Sequence, residues 1–159
     1  MLDLLAFLLM LLAQQAAVIS PPAYVHTAAA IAAAEAPMSL VGVDGYAGVL
    51  CTMRNRLDSP HFPNDWPGVL AAYYAPPRTP TERELRIAGD ILTQPAACPW
   101  AGYYALSQQD VDRRGYPDGD YISAATILPS GRVIRVHFYA QFPDSDTDYH
   151  RCTQIFRPK

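Results

Sequence analysis

Fifteen prolines in 159 residues limit how long any regular element of this chain can be. Each proline fixes φ, removes a backbone donor and ends or kinks a helix. Pro21, Pro22, Pro37 and Pro60 bound between them two proline-free stretches, 23–36 and 38–59. Beyond Pro60 the breaks come close together, and long uninterrupted helices are not expected there. Within those limits the chain is 50% hydrophobic and 17% charged, enough apolar material for a core and about one domain's length. Its net charge of −3 excludes the basic face that nucleic acid requires. Collagen-like, coiled-coil and multi-span membrane classes are excluded with it.

Residues 1–22 form an apolar N-terminal segment. Its run from Leu4 to Leu12, followed by Ala13, Ala16 and Ala17, suits the apolar stretch and small-residue cleavage site of a signal peptide. Asp3 stands where a signal peptide carries positive charge, and Gln14 and Gln15 interrupt the run short of a full span. Export, membrane attachment through residues 2–19 and an apolar helix packed on the domain therefore all stay open. Residues 23–159 form the single folded domain.

The Ala-rich stretch Ala23–Ala36 is expected to be a buried helix, since Ala has the highest helix propensity and lets neighbours approach closely. Pro37 ends it and 38–43 reads as a loop. Asp44 is placed to cap a helix from Gly45 to about Leu57, with Val49, Leu50, Met53 and Leu57 on one face. A short helix is expected over Gly68–Tyr74. Another runs to about Leu92, with Thr79 as cap, Pro80 in the first turn and Glu82 completing a capping box. The second half reads as β: a short strand at Tyr103–Leu106, then a hairpin of 121–128 and 132–139 about the Pro129-Ser130-Gly131 turn. Residues 144–148 form an acidic loop, and Cys152–Phe156 is a last strand candidate. The fold class is α+β, helices first and a small antiparallel sheet after them.

Cys51, Cys98 and Cys152 show no metal-binding spacing. Either Cys98 and Cys152 pair in an exported protein, with Cys51 a buried thiol, or all three are unpaired. The four histidines show no metal-ligand pattern, and neither a metal nor a cofactor is expected. A thiol hydrolase built on Cys51 is disfavoured, because that residue sits in mid-helix in an apolar run, the setting of an inert thiol.

Only three of the 15 acidic residues are Glu: Glu35, Glu82 and Glu84. The last two have a routine place in a helix's first turn, where the dipole favours negative charge, with Glu84 on a solvated face beside Arg83 and Arg86. Glu35 stands instead at the end of an almost wholly apolar helix. Burial there would favour its protonated form, as a general acid acting on a glycosidic oxygen requires. An ordinary helix-end Glu turned to solvent is the alternative.

Five pieces in order carry a family resemblance: Glu35-Ala36, Asp44-Gly45, Asn55-Arg56, Phe62-Pro63 and Val69-Leu70. With them the stretch 28–75 resembles the SleB-like cell wall hydrolases, the family of the spore-cortex-lytic enzyme. His137-Phe138-Tyr139 is similar to that family's C-terminal Phe-Tyr strand. The loop after Glu35 lacks the family's second Glu, and Tyr46 follows Gly45 where the family has Gln.

The resemblance implies a lysozyme-like fold acting on peptidoglycan glycan strands, by hydrolysis or as a lytic transglycosylase. Glu35 would be its single acid and base, and a 1,6-anhydro product needs no second carboxylate. Asp44 is the nearby second acid if one is used, or simply a cap. Asn55 and Arg56 either tie helix ends together or touch sugar. Tyr139, like Tyr73, Tyr74, Tyr103 and Tyr104, is either a sugar-stacking surface or packing. The implied location is extracytoplasmic or cell-wall-associated, in a bacterial or phage-encoded protein. A non-catalytic peptidoglycan- or membrane-associated protein on the same fold is the alternative.

Overall fold

The computed structural model of the chain describes residues 22–143 apart from 74, 95, 96 and 99. The apolar run at 2–12, the acidic loop at 144–148 and the strand candidate at 152–156 lie outside the described residues. The rest is α+β: helices fill the N-terminal half and a small antiparallel sheet follows.

Helix α1 (Ala23–Glu35) is the core element, with Val25, Ala28, Ala29, Ile31, Ala32 and Ala33 all buried. Burial almost all the way round explains the alanines, which let α2 (Met38–Leu57) and the later helix α4 (Glu82–Thr93) close against it. Where 38–43 reads as a loop in the sequence, the chain makes a helical turn instead and then kinks. Gly42 at φ 69° and ψ −177° separates that turn from the rest of α2. Asp44 lies inside the helix after the kink, in its first turn, rather than at the cap. Its charge still faces the positive end of the dipole.

The short helix α3 (Trp66–Leu70) starts two residues before the expected Gly68 and ends at Leu70. The Asp65 side chain accepts from Gly68 N–H at 2.7 Å to cap it. Trp66 stacks on Tyr24 with ring centroids 4.7 Å apart and so anchors its loop to α1.

Helix α4 begins two residues later than the Thr79 reading. Thr81 is its cap and Glu84 its box partner: Glu84 N–H donates to Thr81 Oγ1, and Thr81 N–H donates to the Glu84 carboxylate. Glu84 is not on a solvated face. It is 2% exposed and ion-paired with Arg78. Tyr46, the departure from the family pattern, is fully buried between α1 and α4. Its hydroxyl donates to the Glu84 carbonyl at 3.1 Å, with the Ala29 carbonyl at 3.4 Å. Burial, then the Glu84 charge, pushes that phenol well above its ordinary value, against the opposing pull of Arg78.

Cys51 of α2 is disulfide-bonded to Cys98, with the Cα atoms 5.5 Å apart, an ordinary span for such a bond. This corrects the Cys98–Cys152 pairing and the reading of three free thiols; Cys152 is outside the described residues. Closing a loop across 47 residues removes about 4 kcal/mol of chain entropy from the unfolded state. With its sulfur in that bond, Cys51 is no nucleophile.

Strands β1 (Tyr104–Ser107), β5 (Val136–Tyr139) and β2 (Tyr121–Ile122) form an antiparallel sheet in the order β1-β5-β2. Helix α5 (Gln108–Arg114) follows β1 directly, and β3 (Thr126–Ile127) pairs with β4 (Val133–Ile134). The expected hairpin is therefore present, but its ladder slips by one residue. Tyr121 opposes Phe138, whereas Thr126 opposes Ile134. At the slip, the buried Ser123 donates its N–H to the Val136 carbonyl and its Oγ accepts from Val136 N–H. A side chain thus completes the ladder where the backbone bulges. Phe138 packs down onto Gly48 of α2, where a Cβ would collide with the ring. Tyr104, Val111 and Tyr139 form a second, smaller core.

Candidate functional site

Glu35 is the last residue of α1, and its side chain is exposed. Of the two settings open to it in the sequence, the structure shows the helix-end Glu turned to solvent: Glu35 faces outward although Ala32, Ala33 and Ala36 around it are buried in the core. Its Oε1 accepts a hydrogen bond from the backbone N–H of Ala75 at 2.8 Å, which latches the helix end to the segment after α3. Two nearby carbonyls of α1, of which Ala33's is freed by the helix end, accept from Arg78. Its Nε donates to the Ala33 carbonyl at 2.7 Å and its N–H to the Ala30 carbonyl at 3.3 Å.

The latched segment carries Tyr73, two residues before Ala75. Thr52 donates its hydroxyl proton to the Val49 carbonyl at 2.8 Å, so across the 3.0 Å Tyr73–Thr52 contact the phenol is the donor. Burial raises the Tyr73 phenol above its ordinary value. The Arg56 cation acts against that rise, and the Glu35 charge adds to it. Tyr73 thus stands in the electrostatic reach of both Glu35 and Arg56.

Arg56 sits beside the Tyr73 ring at 5.2 Å from its centroid, with Phe62 at 5.1 Å and Tyr104 at 5.5 Å. Its Nε donates to the Tyr103 carbonyl at 2.7 Å. Next to it, Asn55 Nδ2 donates to the carbonyls of Trp100 (3.1 Å) and Gly102 (2.8 Å). The Asn-Arg pair therefore ties the end of α2 to the strand-leading segment 100–103. Asn55 has both amide protons engaged there, whereas the Nη edge of Arg56 meets no acceptor among the described residues.

The remaining sequence candidates lie elsewhere. Asp44 is exposed near Tyr121, whose phenol its charge raises after burial has done so. Tyr139 is 4% exposed, and its hydroxyl donates to the Pro117 carbonyl at 2.9 Å. It packs in the second core and has no open face on which a sugar could stack. His137 is fully buried: Nδ1 accepts from Gly119 N–H at 3.2 Å, which makes Nε2–H the donor to Gln108 Oε1 at 2.9 Å. Burial, followed by the Arg135 charge, lowers its pKa, opposed by Asp118 and Asp112. It is held neutral.

Glu35, Tyr73 and Arg56 are thus brought together around one short segment, with Thr52 behind them. Thr52 escaped the sequence reading. Its signal was a hydroxyl inside an apolar helical run, a group that must find a partner when buried. Two residues beyond Glu35 begins an open cleft of about 540 Å³, walled by Pro37, Met38 and Val43 on one side and Arg78, Thr81 and Arg83 on the other. Among the described residues no group of three His, Cys, Asp or Glu side chains is placed to hold a metal ion, and no helix is long and apolar enough to cross a membrane. No family model, curated protein or solved structure matches the chain.

Proposed function

We propose that this chain is a lysozyme-like enzyme that cleaves peptidoglycan glycan strands, with Glu35 as its single acid and base. The observation that carries the reading is the setting of that carboxylate. It is solvent-accessible, bonded to the Ala75 backbone N–H, beside a tyrosine–threonine pair and next to an open cleft. A strand laid over Glu35 would itself displace water and favour the protonated carboxyl.

In the proposed course, Glu35 gives its proton to the oxygen leaving between N-acetylmuramic acid and N-acetylglucosamine. The carboxylate left behind takes the proton of the muramyl 6-hydroxyl as that oxygen bonds to C1. The products are a 1,6-anhydro end and a free 4-hydroxyl, with Glu35 protonated again. Asp44, near Tyr121, has no part in this course. The Cys51–Cys98 bond supports an extracytoplasmic location, where disulfides persist.

Mass spectrometry of material released from purified sacculi tests the reading. Anhydro-ended muropeptides are expected from the wild type and none from Glu35→Gln. Reducing ends in place of anhydro ends would replace the transglycosylase course by hydrolysis. Release by the Glu35→Gln variant would remove Glu35 from the chemistry. One observation favours a second reading, a non-catalytic wall-binding protein: the Ala75 latch gives Glu35 a structural use of its own. Co-sedimentation with sacculi without any soluble product is that reading's signature.

A further inference from the structure

Arg56 is a half-buried residue whose in-plane guanidinium donors are only partly used. Nε is on the Tyr103 carbonyl, and three aromatic rings surround the group at 5.1–5.5 Å. Rings attract the charge but offer no acceptor in the guanidinium plane. No Nη proton of Arg56 has a hydrogen-bond acceptor or an ion-pair partner among the described residues. Arg54 and Arg78 differ: Arg54 Nη1 donates to the Ile91 carbonyl at 2.9 Å, and both Nη atoms of Arg78 reach Glu84.

A partly desolvated cation fixed at Nε and packed between rings, with its forked Nη edge unmatched, is pre-organised for a planar anion. Its place is equally specific. The Tyr73 ring that flanks Arg56 belongs to the segment that Glu35 latches through Ala75.

We propose that Arg56 is a specificity subsite that binds the lactyl carboxylate of muramyl residues whose peptide stem has been removed. This rests on the glycan-strand reading above and adds to it the form of strand preferred. The sugar rings of such a strand are neutral, and the 3-lactyl group is the acid closest to the scissile bond. When a stem is attached, that group is an amide with a carbonyl to accept with but no charge. A forked cation therefore separates bare strands from peptide-bearing ones.

Calorimetric titration of the full-length Glu35→Gln protein tests this, because binding is then read without cleavage. Three strand preparations are compared: stem-free, stem-free with the lactyl carboxylates converted to methylamides, and stem-bearing. The stem-free carboxylate strands are expected to bind at least about tenfold tighter than their methylamides, the effect of one charge-assisted pair. That margin should shrink as salt rises from about 50 to 500 mM. A further Arg56→Gln change should abolish it, and Arg56→Lys should retain part of it.

Equal affinity for carboxylate and methylamide strands overturns the proposal. So does tighter binding of stem-bearing strands, which would point to acids of the peptide, and so does no binding to any preparation. The comparison of strands needs no change at Arg56, so it stands even if the Arg56 variants fold poorly. Product release by the wild type is a separate measurement. Carboxylate-dependent binding without product would leave the subsite in place and remove the catalytic reading.

Discussion

Two glutamates at opposite kinds of helix end show how differently one fold treats the same carboxylate. Glu84, in the first turn of α4, is buried and saturated. It accepts from Thr81 N–H at 2.8 Å and Thr81 Oγ1 at 3.0 Å, and both Nη atoms of Arg78 bind it. Although burial works in the other direction, those hydrogen bonds and the Arg78 cation hold its carboxyl below the ordinary carboxylate value. Glu35, in the last turn of α1, is exposed and stands where the helix dipole opposes a negative charge. A carboxylate buried against a cation belongs to the architecture. One left at the surface on the unfavourable end of a dipole, close to an open cleft, is where to look for chemistry.

Arg78 joins the two regions, since its Nε caps the Glu35 end of α1 while its Nη atoms neutralise Glu84. Arg78→Ala is expected to have the largest effect, about 3 kcal/mol of lost stability in a urea titration, because it strands a buried charge and frees a helix-end carbonyl. A loss below about 1 kcal/mol would mean that water reaches Glu84 and that the two sites are less different than they look.

Glu84→Gln should cost less, about 2 kcal/mol, because the half-exposed Arg78 can turn to water. It should also change the acid limb. A carboxyl whose folded pKa is depressed contributes stability above its unfolded value of about 4.5, and that stability is lost as pH falls through the lower folded value. The Gln variant should lack this step in a series of thermal melts, and a limb of unchanged shape would assign it to other acids.

Glu35→Gln should be smallest in stability, within about 0.5 kcal/mol, since the amide oxygen still accepts from Ala75 N–H. A large loss of stability would make Glu35 architectural too and erase the contrast.

The sequence reading solvates Glu84 and leaves burial and exposure of Glu35 both open, and the structure buries the first and exposes the second. The reason is local. Apolar periodicity places α1 in the core but does not say which way its last side chain faces, and Glu35 points outward between the buried Ala33 and Ala36. At α4 the sequence offers two caps at identical spacing, Thr79 with Glu82 and Thr81 with Glu84. Arg78, held by α1's carbonyls, picks the second by supplying a cation to one of the two glutamates. The cysteine pairing was likewise unreadable, because Cys51 meets Cys98 only when α2 lies against the segment after α4. Asn55 and Arg56 were legible as a pair at a helix end, but their division of labour was not: hydrogen-bond partners 45 to 47 residues away decide it.

The sequence by itself determined where the elements break. Pro37 and Asp58-Ser59-Pro60 delimit α1 and α2, and the Pro129–Gly131 turn sets the hairpin. It also determined that the Ala-rich helix would be central, since propensity, side-chain volume and proline geometry act over a few residues. Only the tertiary structure decided which charges are buried, which cysteines meet and which tyrosines have an accessible face. Those outcomes depend on how far a side chain stands from water and from opposite charge, and that distance is set by segments remote in the chain.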